Sequence, residues 1–422
     1  MKTLWLIPAF VFSLALPVFA QNNPEEKGAK DPVQKTNNTP KPIEGQFIVV
    51  LKEKSAPPVL KSRDFKKGTS NDREAKMKLN LKAREVVTVK LSSVKTRVGV
   101  SQKAVLADFS DVVSGFSAKL DKVQLEKLRL DPDVAGVYQD YEITIDDIAN
   151  ETPIVYGEED QVVPCAITRA GGFVDGSAKS TWIWILDTGC DMDHPDLNVQ
   201  TSATYAKSFT GEAVEDLHGH GTHVAGIAAA KNNGFGSVGV SAGAKVVPVK
   251  VLNNSGSGSF TWLISALDHV AKYDIQGDVV NMSLGAYGIS NCENNMPTLR
   301  DAIRNLGNAG TYVVMAAGND YCKDAGLNLP GCINGNRVYT VGAVDCNLAC
   351  AAYSNFSTTV VDWVAVGSNV YSTHKGGGYT TKSGTSMASP VVAGIVHAKN
   401  GAPATLSTIN CCSKGPFKIA KR

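Results

Sequence analysis

The chain is 422 residues long, with a formal charge of +2, 42 Lys and Arg against 40 Asp and Glu, and 43% hydrophobic residues. That length allows more than one domain and a large core, and the balanced charge argues against a nucleic-acid partner, which needs a basic face. All nine cysteines lie beyond residue 164, so disulfides are expected in the C-terminal part alone, with at least one thiol left over.

In chain order, residues 1–20 run from Lys2 through the apolar stretch Leu4 to Phe19 and finish Val18-Phe19-Ala20. This fits a secretory signal peptide. The stretch is short for a bilayer span, and Gln21-Asn22-Asn23 follow directly, so a retained anchor is the weaker reading. The protein is expected to be secreted and extracellular, without membrane association.

Residues 21–43 are rich in Asn, Pro, Lys and Glu without periodicity and read as a flexible leader. Residues 44–148 hold the strand-like Gln46 to Leu51, the run Gly115 to Leu120, a helical Val123 to Leu130 stopped by Asp131-Pro132, and an alternating Val137 to Ile145. These predict a small α+β domain. Within it, residues 61–97 carry twelve Lys or Arg against four acids, which reads as a solvated amphipathic helix with basic flanks.

From 149 to 422 apolar strands alternate with glycine-punctuated helices, among them Trp182 to Leu186, Lys245 to Leu252, Trp262 to Tyr273, Val279 to Ser283, Thr311 to Ala317 and Met387 to Lys399. That order predicts an α/β domain with a parallel sheet and helices on both faces, whose ligands bind beyond the carboxyl ends of the strands. The first strand ends in Asp187, before Thr188-Gly189. A cluster of small residues, His218-Gly219-His220-Gly221-Thr222-His223, lets a helix start close to its neighbours with His220 in its first turn. The run Thr311 to Ala317 ends in Gly318-Asn319, and Gly384-Thr385-Ser386-Met387-Ala388-Ser389-Pro390 places a hydroxyl at a turn into a helix.

A serine hydroxyl is a weak nucleophile, so Ser386 needs a base, an orienting group and an oxyanion donor. His220, Asp187 and Asn319 supply these in turn. Each has a plainer explanation alone: Ser386 as a helix N-cap, Asp187 and Asn319 as turn residues, the histidines as zinc ligands. The zinc reading lacks a His-Glu-x-x-His pattern and leaves the Ser386 motif unexplained. Among the cysteines, proximity favours Cys322 with Cys332 and Cys165 with Cys190, while the vicinal Cys411-Cys412 leaves other pairings open.

Asp187-Thr188-Gly189, His220-Gly221-Thr222-His223, Ser283-Leu284-Gly285, Ala316-Ala317-Gly318-Asn319 and Gly384-Thr385-Ser386-Met387-Ala388 together resemble the subtilisin-like serine proteases, and more closely their proteinase K branch. The resemblance implies a serine endopeptidase with an Asp-His-Ser triad that needs no cofactor for its chemistry. It also implies that residues 44–148 are a ferredoxin-like inhibitor propeptide whose tail fills the cleft until a cut near Asp146 to Glu159. Two substrate edges are implied, Ser283-Leu284-Gly285 and the stretch Gly256, Ser257, Gly258, with Ala316, Ala317 and Gly318 as a pocket wall. None of these positions is charged, so broad specificity with an apolar or aromatic preference is expected, and Phe260 either caps the pocket or packs in the core. A structural calcium is implied at Asp362 with the carbonyls of Asn336 and Val338. The expected partners are polypeptide substrates and the chain's own propeptide, in a monomer. The chain departs from the family at Val391, where a histidine is usual, at Leu329-Pro330-Gly331 and at Ala365-Val366-Gly367.

Overall fold

The computed structural model describes residues 1, 40–55, 58–59, 73–145, 148, 152, 154–156 and 160–422. The expected signal peptide beyond Met1, nearly all of the leader, the first part of the basic stretch and much of the expected junction lie outside the described residues.

The N-terminal domain is built from β1 (Pro42–Leu51), α1 (Arg73–Leu79), α2 (Leu81–Val98), β2 (Val105–Phe109), β3 (Gly115–Lys119), α3 (Lys122–Leu130) and β4 (Val134–Thr144). α3 starts at a reciprocal capping box, in which the Asp121 carboxylate accepts from Gln124 N–H and the Gln124 side chain accepts from Asp121 N–H. The strands pair antiparallel in the order β4–β1–β3–β2. One face buries Val49, Leu91, Val94, Phe116 and Leu128 as the domain's own core. Ile48, Phe109, Val112 and Ile143 pack instead into the core of the larger domain.

The basic stretch does hold an amphipathic helix, α2, which buries Val87, Leu91, Val94 and Val98 and leaves Lys82, Glu85 and Arg97 exposed, but most of its described basic residues are paired. Among its described residues, Arg73 pairs with Asp278, Lys76 with Asp274, Arg84 with Asp111, Lys90 with Asp133, Lys95 with Asp108, and Arg97 with Asp131 and Asp133. The partners are remote in sequence, so composition alone had no means of finding them.

The larger domain comprises β5 (Ile183–Asp187), α4 (His220–Ala229), β6 (Lys245–Lys250), β7 (Ser257–Ser259), α5 (Phe260–Tyr273), β8 (Val279–Met282), α6 (Pro297–Ala309), β9 (Tyr312–Ala316), β10 (Val338–Val344), β11 (Val361–Val366), β12 (Val370–His374), β13 (Gly378–Lys382), α7 (Thr385–Lys399), β14 (Ala404–Cys411) and β15 (Lys414–Lys421). Its sheet runs β14–β15–β11–β10–β9–β8–β5–β6, parallel except for the terminal hairpin β14–β15. Side chains alternate across it. Ile183 and Ile185 join the core with α4 and α7, while Trp184 and Leu186 join the core with α5 and α6. Phe260 belongs to the latter core and is fully buried, in the same cluster as Ile143 of β4.

Both proximity pairings of cysteines are overturned. The disulfides are Cys165–Cys346, Cys292–Cys332, Cys322–Cys412 and Cys350–Cys411. Bridging requires Cα atoms about 4.4–6.8 Å apart, which the fold decides and sequence distance does not. The odd thiol is Cys190, buried in the core; burial, with Asp216 and Asp191 nearby, pushes it well above its usual range and leaves it inert.

Candidate active site

The carboxyl ends of β5 and β9 and the starts of α4 and α7 carry the four residues expected to react. Asp187 is the last residue of β5 and is fully buried. Its Oδ1 accepts from His220 Nδ1 at 2.7 Å and from Thr188 N–H at 2.7 Å. A donor at Nδ1 leaves Nε2 as the basic nitrogen of the neutral ring.

This approach depends on missing side chains. A Cβ on Gly221 would stand 2.1 Å from the Gly189 carbonyl oxygen and 3.2 Å from Asp187 Cβ. Gly226, further along α4, would meet Thr373 Oγ1 at 2.2 Å. Contact there is part of the design: Ser372 Oγ donates to the His223 carbonyl and Thr373 Oγ1 to the Thr222 carbonyl, so β12 clamps the first turn of α4. The two histidines flanking His220 have other duties. His223 Nε2 faces the Thr380 carbonyl at 3.2 Å, and burial with Lys382 nearby drives its pKa well down, so it is a neutral packing residue. His218 is half-buried beside Gly256.

Asp216 organises this loop and was not anticipated. Its carboxylate accepts from Thr188 Oγ1, His218 N–H, Gly219 N–H, Thr222 N–H and Thr222 Oγ1 at 2.7–3.0 Å. Burial raises its pKa, but the bonds from Gly219 and Thr222 outweigh burial and hold it below the usual carboxylate value. Its place four residues before His220, ahead of a helix start, was the available signal.

Ser386 is the second residue of α7, after Gly384, whose positive φ (φ 155°, ψ 163°) is one that side chains rarely adopt. Its Oγ donates to the Ser283 carbonyl at 3.3 Å, and Ser283 Oγ donates back to the Ser386 carbonyl at 2.8 Å. Asn319 follows Gly318, whose φ of +94° turns the chain at the end of β9. Asn319 Oδ1 accepts from Thr385 N–H and Thr385 Oγ1, both at 2.9 Å. An oxygen facing an N–H fixes the amide orientation, so Nδ2 is the remaining donor, beside the Gly384 turn. Leu284, Gly285, Ala316, Gly318, Asn319, Asn328, Thr385 and Ser386 line one small cleft. Asn328 was missed; it is buried, donates to the Ala316 carbonyl, and precedes the Leu329-Pro330-Gly331 departure. Ala317 lies just below, in the core. Val391 is also core, so the departure from histidine is filled by packing.

The two glycine-containing edges hold a strand between them. β4 pairs antiparallel with β7, with Thr144 opposite Ser257 and Ile143 opposite Gly258. Ile145 N–H donates to the Gly256 carbonyl at 3.1 Å, and on the other side Thr144 bridges Gly285. The N-terminal domain is further held by Asp268 on α5, which accepts from the N–H groups of Ser110, Asp111 and Val112 at 3.0, 2.6 and 3.1 Å.

At the expected calcium position, Asp362 Oδ2 accepts from Thr340 N–H at 2.8 Å, and burial pushes the carboxyl up to about 6. The Arg337 carbonyl bonds to Val313 on β9, so strand alternation turns the Val338 carbonyl toward the β11 side, where Asp362 lies. The Asn336 carbonyl packs against Gly307. Among the described residues no three His, Cys, Asp or Glu side chains gather as a metal cluster.

Comparison with known proteins agrees with this geometry. Residues 178–404 match the Subtilase family and residues 46–146 match Peptidase inhibitor I9. The chain is 40% identical over 221 residues to an intracellular serine protease of Paenibacillus polymyxa, covering 50% of this chain and 64% of the relative. It is 36% identical over 293 residues to alkaline serine protease ver112 of Corniculantispora psalliotae, covering 68% and 72%. It is 35% identical over 286 residues to the cuticle-degrading protease of Metarhizium anisopliae, covering 67% and 69%. With a buried Asp-His pair, a helix-start serine and a strand held in the cleft by its own N-terminal domain, the chain belongs to the subtilase family of serine endopeptidases and carries an I9 inhibitor domain ahead of its catalytic domain.

Proposed function

We propose that the protein is a secreted, self-processing endopeptidase of broad specificity with a preference for apolar or aromatic side chains before the scissile bond. The observation that carries this reading is the strand β4 seated between Ser257-Gly258 and Gly285, because a cleft that reads backbone on both sides accepts any extended polypeptide. The lining residues Leu284, Gly285, Ala316 and Gly318 carry no charge, which disfavours Lys or Arg in the pocket. Export is supported by the Lys2 to Ala20 pattern and by four disulfides, which persist in oxidising compartments.

In the proposed reaction Ser386 Oγ attacks the scissile carbonyl while His220 Nε2 takes its proton. Asp187 Oδ1 keeps Nδ1 protonated and stabilises the imidazolium. Asn319 Nδ2 and the backbone N–H of Ser386, at the start of α7 where N–H groups lack helical acceptors, receive the oxyanion. His220 then returns the proton to the leaving amine, and water repeats the sequence on the acyl-enzyme. A calcium ion would serve stability and not chemistry. Asp362 would hold it as one buried carboxylate, raised by burial although Lys418 opposes that shift, with the Val338 carbonyl on the same side as a further oxygen donor; the Asn336 carbonyl, packed against Gly307, lends no support to the expected set.

The test is to express the whole chain with export and treat it with a fluorophosphonate probe, following label and mass. Label on Ser386 in a shortened, exported product supports the reading. An unlabelled full-length product overturns self-processing.

A further inference from the structure

Arg73 enters the catalytic domain far from the cleft. Its guanidinium meets both oxygens of Asp278, Nη1 on Oδ2 at 2.5 Å and Nη2 on Oδ1 at 2.9 Å. Nη1 also donates to the Tyr273 carbonyl at 3.0 Å and Nη2 to the Ser180 carbonyl at 2.9 Å. The guanidinium carbon lies 3.5 Å from the centre of the Trp182 ring. Arg73 is 6% exposed and Asp278 not at all. One turn further along α1, Lys76 pairs with Asp274.

The receiving surface is organised without Arg73. Asp278 also accepts from Trp182 N–H at 2.9 Å, Trp184 Nε1 at 2.8 Å and Ile275 N–H at 3.2 Å. All of these groups lie within residues 178–404, so the carboxylate stays aimed when Arg73 is removed. Two coplanar carboxylate oxygens, two flanking carbonyls and an aromatic face match a planar five-donor fork and not a compact ammonium. Trp182 and Asp278 precede β5 and β8, at the opposite end of the strands from Asp187, about 17 Å away along β5.

We propose that Asp278, Trp182 and the carbonyls of Ser180 and Tyr273 form a guanidinium-binding exosite. Arg73 fills it in the zymogen, and in the mature enzyme it takes an exposed arginine of another polypeptide, holding that protein away from the cleft. The second half rests on the proposed removal of the N-terminal domain; the first does not.

The test separates them. In full-length chain carrying Ser386→Ala, which is expected to remain uncut, Arg73→Ala empties the socket without maturation. N-acetyl-arginine amide should then change the tryptophan emission saturably, with a response to N-acetyl-lysine amide weaker by about tenfold or more. The chain retaining Arg73 should not respond, nor should one carrying Arg73→Ala with Asp278→Asn. If Asp278→Asn fails to fold, Trp182→Leu replaces it with binding read by isothermal titration calorimetry, because that change also removes the emitting ring, and weaker binding of the arginine amide is expected. No response in the Arg73→Ala chain, equal response to the lysine amide, or response only to calcium chloride would overturn the exosite. The processed enzyme is titrated in parallel: response there supports exosite access after maturation, and silence there beside a positive Arg73→Ala chain overturns the mature role alone.

Discussion

Thr144 of the inhibitor domain and Gly285 of the catalytic domain exchange both backbone hydrogen bonds, N–H to carbonyl in each direction at 3.2 Å. The next residue, Ile145, donates to Gly256 on the opposite edge, and Ile148 bridges Ser383, three residues before Ser386. Under the proposed self-processing, these anchors on either side bracket the cut. The mature N-terminus should therefore be residue 146, 147 or 148, read by intact mass and N-terminal sequencing of the exported product. Ser386→Ala should leave the chain uncut and lower turnover by a factor on the order of 10⁶. Normal processing of that variant would remove Ser386 from the reaction.

Asn319 is held by Thr385 through its oxygen, so the amide nitrogen is the donor it has for the oxyanion. Asn319→Ala should lower kcat by about 10²–10³ with KM little changed, since the donor acts on charge that develops only in the transition state. Steady-state kinetics on a peptide substrate give the split. A loss of tenfold or less would mean that another donor receives the oxyanion.

Asp216 bonds the loop that delivers His220, and its replacement leaves several buried N–H groups without an acceptor. Asp216→Ala should destabilise the protein by about 1–3 kcal/mol or more and lower kcat more than it raises KM. Because its folded pKa lies below the ordinary value of 3.8, the carboxylate stabilises the fold above that pH and the contribution fades as pH falls through the folded pKa. Thermal unfolding should accordingly show the widest gap between the two proteins at neutral pH and a narrowing one in strong acid. A gap independent of pH would mean that Asp216 acts through packing alone.

The legibility of this chain follows from how local each signal is. β5 and β9 are short apolar runs ending in Asp187 and just before Gly318-Asn319, and such runs declare themselves because every residue is buried. The starts of α4 and α7 were visible in their small residues, and at α4 close packing against Gly189 and Thr373 requires them. Arg73 and Asp278 lie 205 residues apart, and Cys165 and Cys346 lie 181 apart, so only the folded chain joins them. The hairpin β14–β15 was missed for another reason: β14 is almost wholly exposed and offers no apolar alternation to read.

Asp362 links stability to pH and to calcium in one measurement. Its folded pKa of about 6 stands above the ordinary 3.8, so the folded protein holds this proton more tightly than the unfolded chain does. The group's contribution is full below pH 3.8 and is lost as pH rises through 6, a difference of up to about 3 kcal/mol across that pH interval. A calcium ion held by this carboxylate would favour the ionised form and oppose that loss. With a chelator present, Asp362→Asn should therefore be as stable as the parent near pH 4 and more stable near pH 8, because the amide keeps an acceptor for Thr340 N–H without a buried charge. Adding calcium at pH 8 should raise the Tm of the parent and leave that of Asp362→Asn unchanged. An equal rise in both proteins would place any stabilising ion elsewhere, and no rise in either would leave Asp362 as a buried acid that only caps the edge of β10.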